Sequence, residues 1–319
     1  MKVVVSDCDH KSMAPEEKVF ADNGMAFDHL RCVSEDDVIR RCKGADIILN
    51  QYAPFTEQVF AALKPELRQI VRYGVGVNNV DLSAATAAGV QVCNVPDYGV
   101  GEVSDQALAM VIALARKLVP MNRLTHAGTW DYQHAIPIRR MADQIVGVIG
   151  IGRIGRAFSH KARGLGCRVI GTDPAYRPGS PEIAGVEWMP FERVIAEADF
   201  VSIHCPLTAE THHMFDAAAL ALMKPTACLV NTARGGIVDE AALADALAKG
   251  ALAGAALDVT EGEPLAADSP LRGLDTCLLT PHMAWYSEEA GQELKRKVAE
   301  EAVRFALGTG IKYPVNALR

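Results

Sequence analysis

The amino-acid sequence predicts an α/β protein made of two doubly wound parallel-sheet domains. Short apolar runs alternate with helical stretches across residues 1–100, the pattern of a parallel sheet with helices on both faces. A second alternation of the same kind starts near Asp143. With 319 residues the chain is about twice the ~150 of a usual domain, so two cores are expected.

Composition narrows the function classes. Half of the residues are hydrophobic and 22% are charged, as in soluble globular proteins with ample core. A formal net charge of −7 with no long basic block argues against a nucleic-acid surface. The eight cysteines are scattered without a C-x-x-C pair, several inside apolar runs, so reduced buried thiols are expected in place of disulfides or zinc. Residues 1–7 start with a strand where a signal peptide would carry a long apolar region, and no apolar run is long enough to span a bilayer. A cytoplasmic location without membrane contact is the expectation.

In the first domain, 2–6, 45–50 and 69–73 read as strands, and 16–23, 34–42 and 57–63 as helices. The run Arg72-Tyr73-Gly74-Val75-Gly76-Val77-Asn78-Asn79 lies at a strand end, where ligands sit in such sheets. Its glycines free backbone N–H groups to meet an anion, and Arg72 adds a positive charge. On these residues alone an ordinary glycine-rich turn is the plainer reading. Residues 94–98 are turn chemistry. A long helix follows over 101–118, and its apolar residues cover enough circumference for it to be a buried crossover between domains. Residues 128–140 read as irregular.

The second domain opens on Val146-Gly147-Val148-Ile149-Gly150-Ile151-Gly152-Arg153-Ile154-Gly155-Arg156, a buried-strand pattern followed by G-x-G-x-x-G. Gly150 permits the tight turn, Gly152 lets backbone approach a pyrophosphate, and Gly155 allows close packing of helix on strand. The N–H groups and positive end of the helix over 153–165 then face phosphates. Alone, the three glycines also fit a plain turn. A strand over 168–172 ends in Asp173, an acid placed to accept hydrogen bonds from the ribose diol of NAD and to repel the 2′-phosphate of NADP.

The remainder repeats the alternation. Residues 174–190 are loop-rich, 191–197 helical, and 199–204 a strand with Cys205-Pro206-Leu207-Thr208 at its C-terminal end. Strand 227–232 ends in Ala233-Arg234-Gly235-Gly236, and helix 239–249 follows. Strand 252–258 leads to a turn at 260–264, and strand 276–279 to Thr280-Pro281-His282. A final amphipathic helix over 287–307 has Glu288 and Glu289 in its first turn and Arg304 near its end, as the helix dipole favours.

Arg234, Glu263 and His282 therefore follow three strands whose ends share one sheet edge, the edge of the glycine turn. An arginine, a carboxylate and an imidazole beside a nicotinamide suit hydride transfer at a 2-keto or 2-hydroxy acid. Arg234 would fork onto the substrate carboxylate, and His282 would give or take the proton at oxygen. Glu263 would orient the imidazole and favour its charged form. Each also has a structural reading as a turn or surface residue. Asp258 ends a strand where the nicotinamide carboxamide is within reach. No spacing of His204, His212 or His213 with carboxylates or cysteines supports a metal.

The runs 147–155, 231–239, 256–264 and 280–282, with 74–81 before them, resemble the D-isomer-specific 2-hydroxyacid dehydrogenase family over almost the entire chain. The resemblance implies a Rossmann NAD domain, 101–284, inserted into a flavodoxin-like substrate domain of 1–100 and 285–319. It implies a catalytic trio of Arg234, Glu263 and His282. Cofactor contacts are implied at Gly150, Gly152, Arg153, Ile154, Gly155, Asp173, Cys205, Pro206, Thr208, Thr232, Ala233, Asp258 and Ser104. Substrate contacts are implied at Arg72, Val75, Gly76 and Trp285, which overrides the plain-turn reading of the 74–76 run. It implies a homodimer through the NAD domains. A two-domain cofactor enzyme is expected to close over its cleft, with hinges near 98–102 and 284–287. Ala284-Trp285-Tyr286-Ser287 and Arg72 are similar to the C-terminal-binding-protein branch, so an NAD-sensing corepressor-type protein with vestigial activity is the alternative. The lack of an extended disordered tail and of basic content favours an enzyme. 3-Phosphoglycerate is an alternative substrate, though the Trp285 wall suits a phosphate poorly.

Overall fold

A computed structural model describes residues 1–176 and 185–318. The chain separates into two compact units, Met1–Gly99 with the segment from Ser287 onward, and Val100–Tyr286.

The first unit holds strands β1 (Val3–Val5), β2 (Phe27–His29), β3 (Ile47–Asn50), β4 (Gln69–Arg72) and β5 (Gln91–Cys93), with helices α1 (Ala14–Asp22), α2 (Glu35–Arg41), α3 (Glu57–Leu63) and α4 (Leu82–Ala87) between them. All pairings are parallel, in the order β2-β1-β3-β4-β5. The inner strands are buried on both faces, which is why they read as unbroken apolar runs and not as alternation. Two strands escaped the sequence pattern. β2 is a three-residue edge strand with polar, exposed positions, and β5 has only three residues. Helix starts follow side-chain caps: the Ser34 hydroxyl accepts from the Asp37 N–H, and the Asp81 carboxylate from the Ala84 N–H.

The second unit begins with α5 (Val100–Ala115) and α6 (Leu118–His126). The helix expected over 101–118 ends at Ala115, because Lys117 takes a left-handed backbone (φ 50°), and α6 is a further helix that the sequence pattern did not show. Pro120 then falls in the first turn of α6, where its missing N–H costs no hydrogen bond. The expected irregular stretch contains a short 3₁₀ turn at Tyr132–Ala135. Then follow β6 (Ile145–Ile149), α7 (Arg153–Gly164), β7 (Arg168–Thr172), β8 (Glu187–Trp188), α8 (Phe191–Glu197), β9 (Phe200–Ile203), α9 (Ala217–Leu222), β10 (Cys228–Asn231), α10 (Glu240–Ala248), β11 (Gly254–Leu257) and β12 (Cys277–Leu279). Of the loop-rich stretch expected at 174–190, residues 177–184 lie outside the described residues.

The sheet order is β12-β11-β10-β9-β6-β7-β8, all parallel, so the order reverses between β6 and β9. One register row crosses the sheet. Ile149 pairs with Thr172 on one side and with Ile203 on the other, then Ile203 with Asn231, Asn231 with Leu257, and Leu257 with Leu279. Every loop leaving this row opens at one edge.

The last helix, α11 (Glu288–Leu307), returns the chain to the first unit and packs on α1, β3 and β4. Ser287 caps its start, and Gly308, at φ 67°, ends it. Beyond it, the Asn316 side-chain oxygen accepts from the Val92 N–H at 2.7 Å, which fastens the tail to β5.

The close contact of α7 on β6 depends on Gly155, where a Cβ would lie 2.0 Å from the Gly150 carbonyl oxygen. Gly155→Ala is expected to cost about 2–3 kcal/mol, the scale of overpacking against rigid backbone. The urea midpoint reports it, and an unchanged midpoint would contradict this packing.

Candidate active site

The glycine turn leaves the register row directly after Ile149. Gly150 sits at φ 94°, and a Cβ there would meet the Cys205 nitrogen at 2.6 Å. Only glycine combines that backbone with that contact. Gly152 caps α7, and a Cβ on it would meet nothing within 4 Å. An open face beside the helix N-terminus fits a pyrophosphate. Arg153 is exposed in the first turn of α7, and Ile154 is half-buried behind it.

Asp173 follows β7. Its Oδ2 accepts the Ile151 N–H at 2.7 Å and its Oδ1 the Ala175 N–H at 2.8 Å. The carboxylate is thereby fixed beside the glycine turn, and each oxygen keeps a further lone pair for a ribose hydroxyl. After β9, Cys205 is half-buried, and burial pushes its thiol up to about 11, so it offers a neutral wall and no nucleophile. Pro206 and Thr208 are exposed on the same loop, and the Thr208 hydroxyl donates to Glu210 at 2.7 Å. After β10, the Thr232 hydroxyl is buried with no hydrogen-bond partner in the protein, an orphan that a bound cofactor would satisfy. The Ala233 N–H donates to the Asn231 side chain at 3.0 Å. Ser104 is fully buried on α5; its hydroxyl donates to the Val100 carbonyl and accepts from the Lys161 amine of α7 at 2.6 Å.

The three candidate catalytic residues leave adjacent strands. Arg234 follows β10, with its carbonyl held by the Asn231 amide at 2.8 Å. At the next position, Gly235, a Cβ would lie 2.0 Å from the Thr260 carbonyl oxygen, so the loops after β10 and β11 touch backbone to backbone. This contact brings the Arg234 charge to bear on Glu263. Glu263 Oε2 meets His282 Nδ1 at 2.6 Å. Partial burial pushes the Glu263 carboxyl up. The hydrogen bond and charge of His282, the Thr260 N–H and the Arg234 guanidinium outweigh it and hold the carboxyl below the usual carboxylate range. With Nδ1 engaged, the imidazole has its Nε2 left for chemistry.

His282 takes a left-handed backbone, φ 53°, unusual for a non-glycine residue. Asp258 sustains it. The buried Asp258 carboxylate accepts the Thr280 hydroxyl at 2.5 Å and the N–H groups of Met283 at 3.0 Å and Ala284 at 2.9 Å. The Asp258 carbonyl takes the His282 N–H at 2.8 Å. The sequence pointed to Asp258 for a cofactor contact; its part as the anchor of the histidine loop was not visible there. A second pair was also missed: His213 Nε2 meets Glu261 Oε1 at 2.5 Å, so the 260–264 turn is gripped by two histidines. Both partners of that pair came together only through folding, and no spacing announces it.

Trp285 is half-buried at the end of this unit, edge-on to Tyr286 at 5.4 Å. In the first unit, Gly74 stands at φ 127°, and a Cβ there would lie 1.9 Å from the Arg72 guanidinium, which folds across the loop. Val75 is exposed beside it and Gly76 half-buried. This loop follows β4, one strand removed from the reversal between β1 and β3.

Residues 108–284 match the family model for the NAD binding domain of D-isomer specific 2-hydroxyacid dehydrogenases. The chain belongs to the D-isomer specific 2-hydroxyacid dehydrogenase family. It is 38% identical over 280 residues to a glyoxylate reductase of Korarchaeum cryptofilum, covering 86% of this chain and 84% of that one. It is 39% identical over 263 residues to a D-3-phosphoglycerate dehydrogenase of Mycobacterium leprae, covering 82% of this chain but 49% of the relative. The chain thus spans about half the length of that second relative. A solved D-lactate dehydrogenase from Aquifex aeolicus, complexed with NAD and lactic acid, superposes with a TM-score of 0.88 at 25% identity, covering 100% of both chains. The protein is an NAD-dependent oxidoreductase with the fold of this family, and these matches support an enzyme over the corepressor alternative. Among the described residues no helix is long and apolar enough to cross a membrane.

His204, at the end of β9, generates a pH prediction. Its ring is sunk against Phe158, its Nε2 meets the Ser202 hydroxyl at 2.9 Å, and burial lowers its pKa from 6.5 to about 3. Between those values the unfolded chain binds the extra proton, so stability rises with pH across the window and is lost as pH falls. Urea midpoints measured from pH 7 to 4 are expected to fall less steeply in His204→Gln than in the parent. Identical slopes would contradict a buried neutral imidazole.

Proposed function

We propose that the protein interconverts a 2-keto acid and its D-2-hydroxy acid with NAD(H), and that Arg234, Glu263 and His282 are its catalytic residues. The observation that carries this reading is the Glu263–His282 hydrogen bond at 2.6 Å beside Arg234, on the sheet edge that opens from the glycine turn. NAD, when bound, supplies or accepts the hydride. Gly150, Gly152, Arg153, Ile154 and Gly155 would hold its pyrophosphate, and Asp173 its ribose. Cys205, Pro206, Thr208, Thr232, Ala233 and Asp258 would line the rest of its path. Ser104 would act behind them, through its hydrogen bond with Lys161 of α7.

In reduction, His282 Nε2 delivers a proton to the carbonyl oxygen as negative charge builds there; in oxidation it removes the hydroxyl proton. Glu263 fixes the imidazole through Nδ1 and balances the positive charge it carries when protonated. Arg234 binds the substrate carboxylate in fork geometry and polarises the carbonyl. From the first unit, Arg72 and the N–H groups of Val75 and Gly76 would take the carboxylate. Trp285 would give an apolar wall for the substrate side chain.

The 38% identity to a glyoxylate reductase across most of both chains makes a small 2-keto acid such as glyoxylate the first substrate to try. A second reading, 3-phosphoglycerate, rests on the 39% identity to a phosphoglycerate dehydrogenase. We place the protein in the cytoplasm without a nucleic-acid partner, in keeping with its net charge of −7. We infer a homodimer through the NAD-binding units, supported by the exposed apolar side chains of Leu118, Val119, Trp130, Tyr132 and Ile136 in that unit.

NADH absorbance over a panel of glyoxylate, pyruvate, hydroxypyruvate and phenylpyruvate tests the reaction. His282→Ala and Arg234→Ala are each expected to lower kcat/KM by about 100-fold or more while NADH still binds. Full activity in either variant would overturn the assignment. Asp173→Ala is expected to narrow the preference for NADH over NADPH, read as the ratio of kcat/KM values; an unchanged ratio would remove Asp173 from the ribose site.

A further inference from the structure

In the first unit the strand order reverses between β1 and β3, the place where open α/β sheets hold their ligands. Here the crevice is filled by the protein's own carboxylate. Asp7, just past β1 and buried, accepts the backbone N–H groups of Gln51 at 3.2 Å, Tyr52 at 2.5 Å and Ala53 at 3.0 Å, all just past β3. It also accepts the Ser6 hydroxyl at 2.7 Å and the Asn50 amide at 3.0 Å. Five donors converge on one side chain, so no donor of this cluster is spared for an anion from outside.

The cluster continues toward β4. Fully buried Asn50 donates to Asp7 and to the Ala53 carbonyl, and its own oxygen accepts the Asn79 amide at 2.7 Å. Asn79 donates as well to the Ala53 carbonyl at 3.0 Å. Asn79 is the far end of the loop that starts at Tyr73. At the near end, the Tyr73 N–H donates to the Asn50 carbonyl at 2.8 Å. The buried Tyr73 hydroxyl donates to Glu16 of α1, itself fully buried, at 3.0 Å. The loop between carries Gly74 at φ 127° and the exposed Val75. It is pinned at its far end by the Asn50 side chain, and at its near end by the Asn50 backbone carbonyl and the Tyr73 hydroxyl.

We propose that Asp7, Asn50, Asn79, Tyr73 and Glu16 are positioning residues that hold loop 74–77 in the shape that presents its N–H groups to the substrate carboxylate. This rests on the reading of that loop as a carboxylate site. The Asp7 and Asn50 side chains are fully satisfied; buried networks of that kind are rigid and specify one geometry, and a donor displaced by about 1 Å costs much of its effect. The five residues touch no substrate; they act through the loop.

The test is steady-state kinetics on Asn50→Ala, Asn79→Ala, their double variant, Tyr73→Phe and, as a reference, Arg72→Ala, with the fastest substrate of the glyoxylate, pyruvate, hydroxypyruvate and phenylpyruvate panel. The expected result is a rise of about tenfold in KM for the keto acid in Asn50→Ala and Asn79→Ala, with kcat and KM for NADH within about threefold of the parent. The double variant should be little worse than either single one, because both break the same contact. Tyr73→Phe, which loses one oxygen atom, is the mildest change and covers the case in which an asparagine variant does not fold. An unchanged KM for the keto acid in Tyr73→Phe and Asn79→Ala, with a raised KM in Arg72→Ala, would overturn the positioning role and leave the carboxylate reading standing. Unchanged KM in Arg72→Ala as well would remove the carboxylate reading and this proposal with it. Equal losses in kcat and in NADH binding would mark a general structural effect and also overturn it.

Discussion

The NAD-binding unit of this molecule depends on one set of backbone hydrogen bonds, those that align Thr172, Ile149, Ile203, Asn231, Leu257 and Leu279 across a parallel sheet. Parallel pairing makes every strand leave the row in the same direction, so residues 132 positions apart in sequence, Gly150 and His282, belong to one edge. The loops after the row then need little further instruction. Gly150 and Gly235 let loop backbones approach where any side chain would collide, and Asp258 fastens the segment from Thr280 to Ala284. The strained backbone of His282 is stable because the carbonyl of Asp258 and its carboxylate hold both sides of that turn.

Much of this was legible in the sequence, for physical reasons. Strands buried on both faces read as apolar runs, and β7 and α8 have the bounds expected from their patterns. Glycine spacing announced the turn at 150–155 because sterics leave no substitute at Gly150 and Gly155. What escaped falls into two kinds. Short elements such as β2 and α9 are stabilised by their neighbours and carry too few residues to show a period. Contacts between distant side chains are the other kind. Neither the Glu261–His213 pair nor the Asp7–Asn50–Asn79 network has a spacing to find, since folding alone brings the partners together. The start of α6, which the sequence pattern did not show, had a signal in Pro120, a residue tolerated in the first turn of a helix.

The two units use buried polar groups for related ends. In the NAD-binding unit, Asp258 spends its carboxylate on a loop that carries the imidazole. In the other unit, Asp7 spends its carboxylate at the reversal of strand order and steadies, through Asn50, the loop one strand away. Each is a buried acidic side chain, and each is tolerated because several donors converge on it. Rigid placement of this kind suits chemistry in which the protein supplies geometry and charge and the cofactor supplies the electrons.

The central claim is that this strand edge carries hydride transfer to a 2-keto acid, with His282 handling the proton. Transfer of deuterium from C4-deuterated NADH, followed by mass spectrometry and chiral separation of the product, tests it most directly. The expected product is a D-2-hydroxy acid labelled at C2 with the wild-type enzyme, formed about 100-fold or more slowly by His282→Ala. Tight NADH binding with no labelled product from any keto acid, or undiminished labelling by His282→Ala, would contradict it.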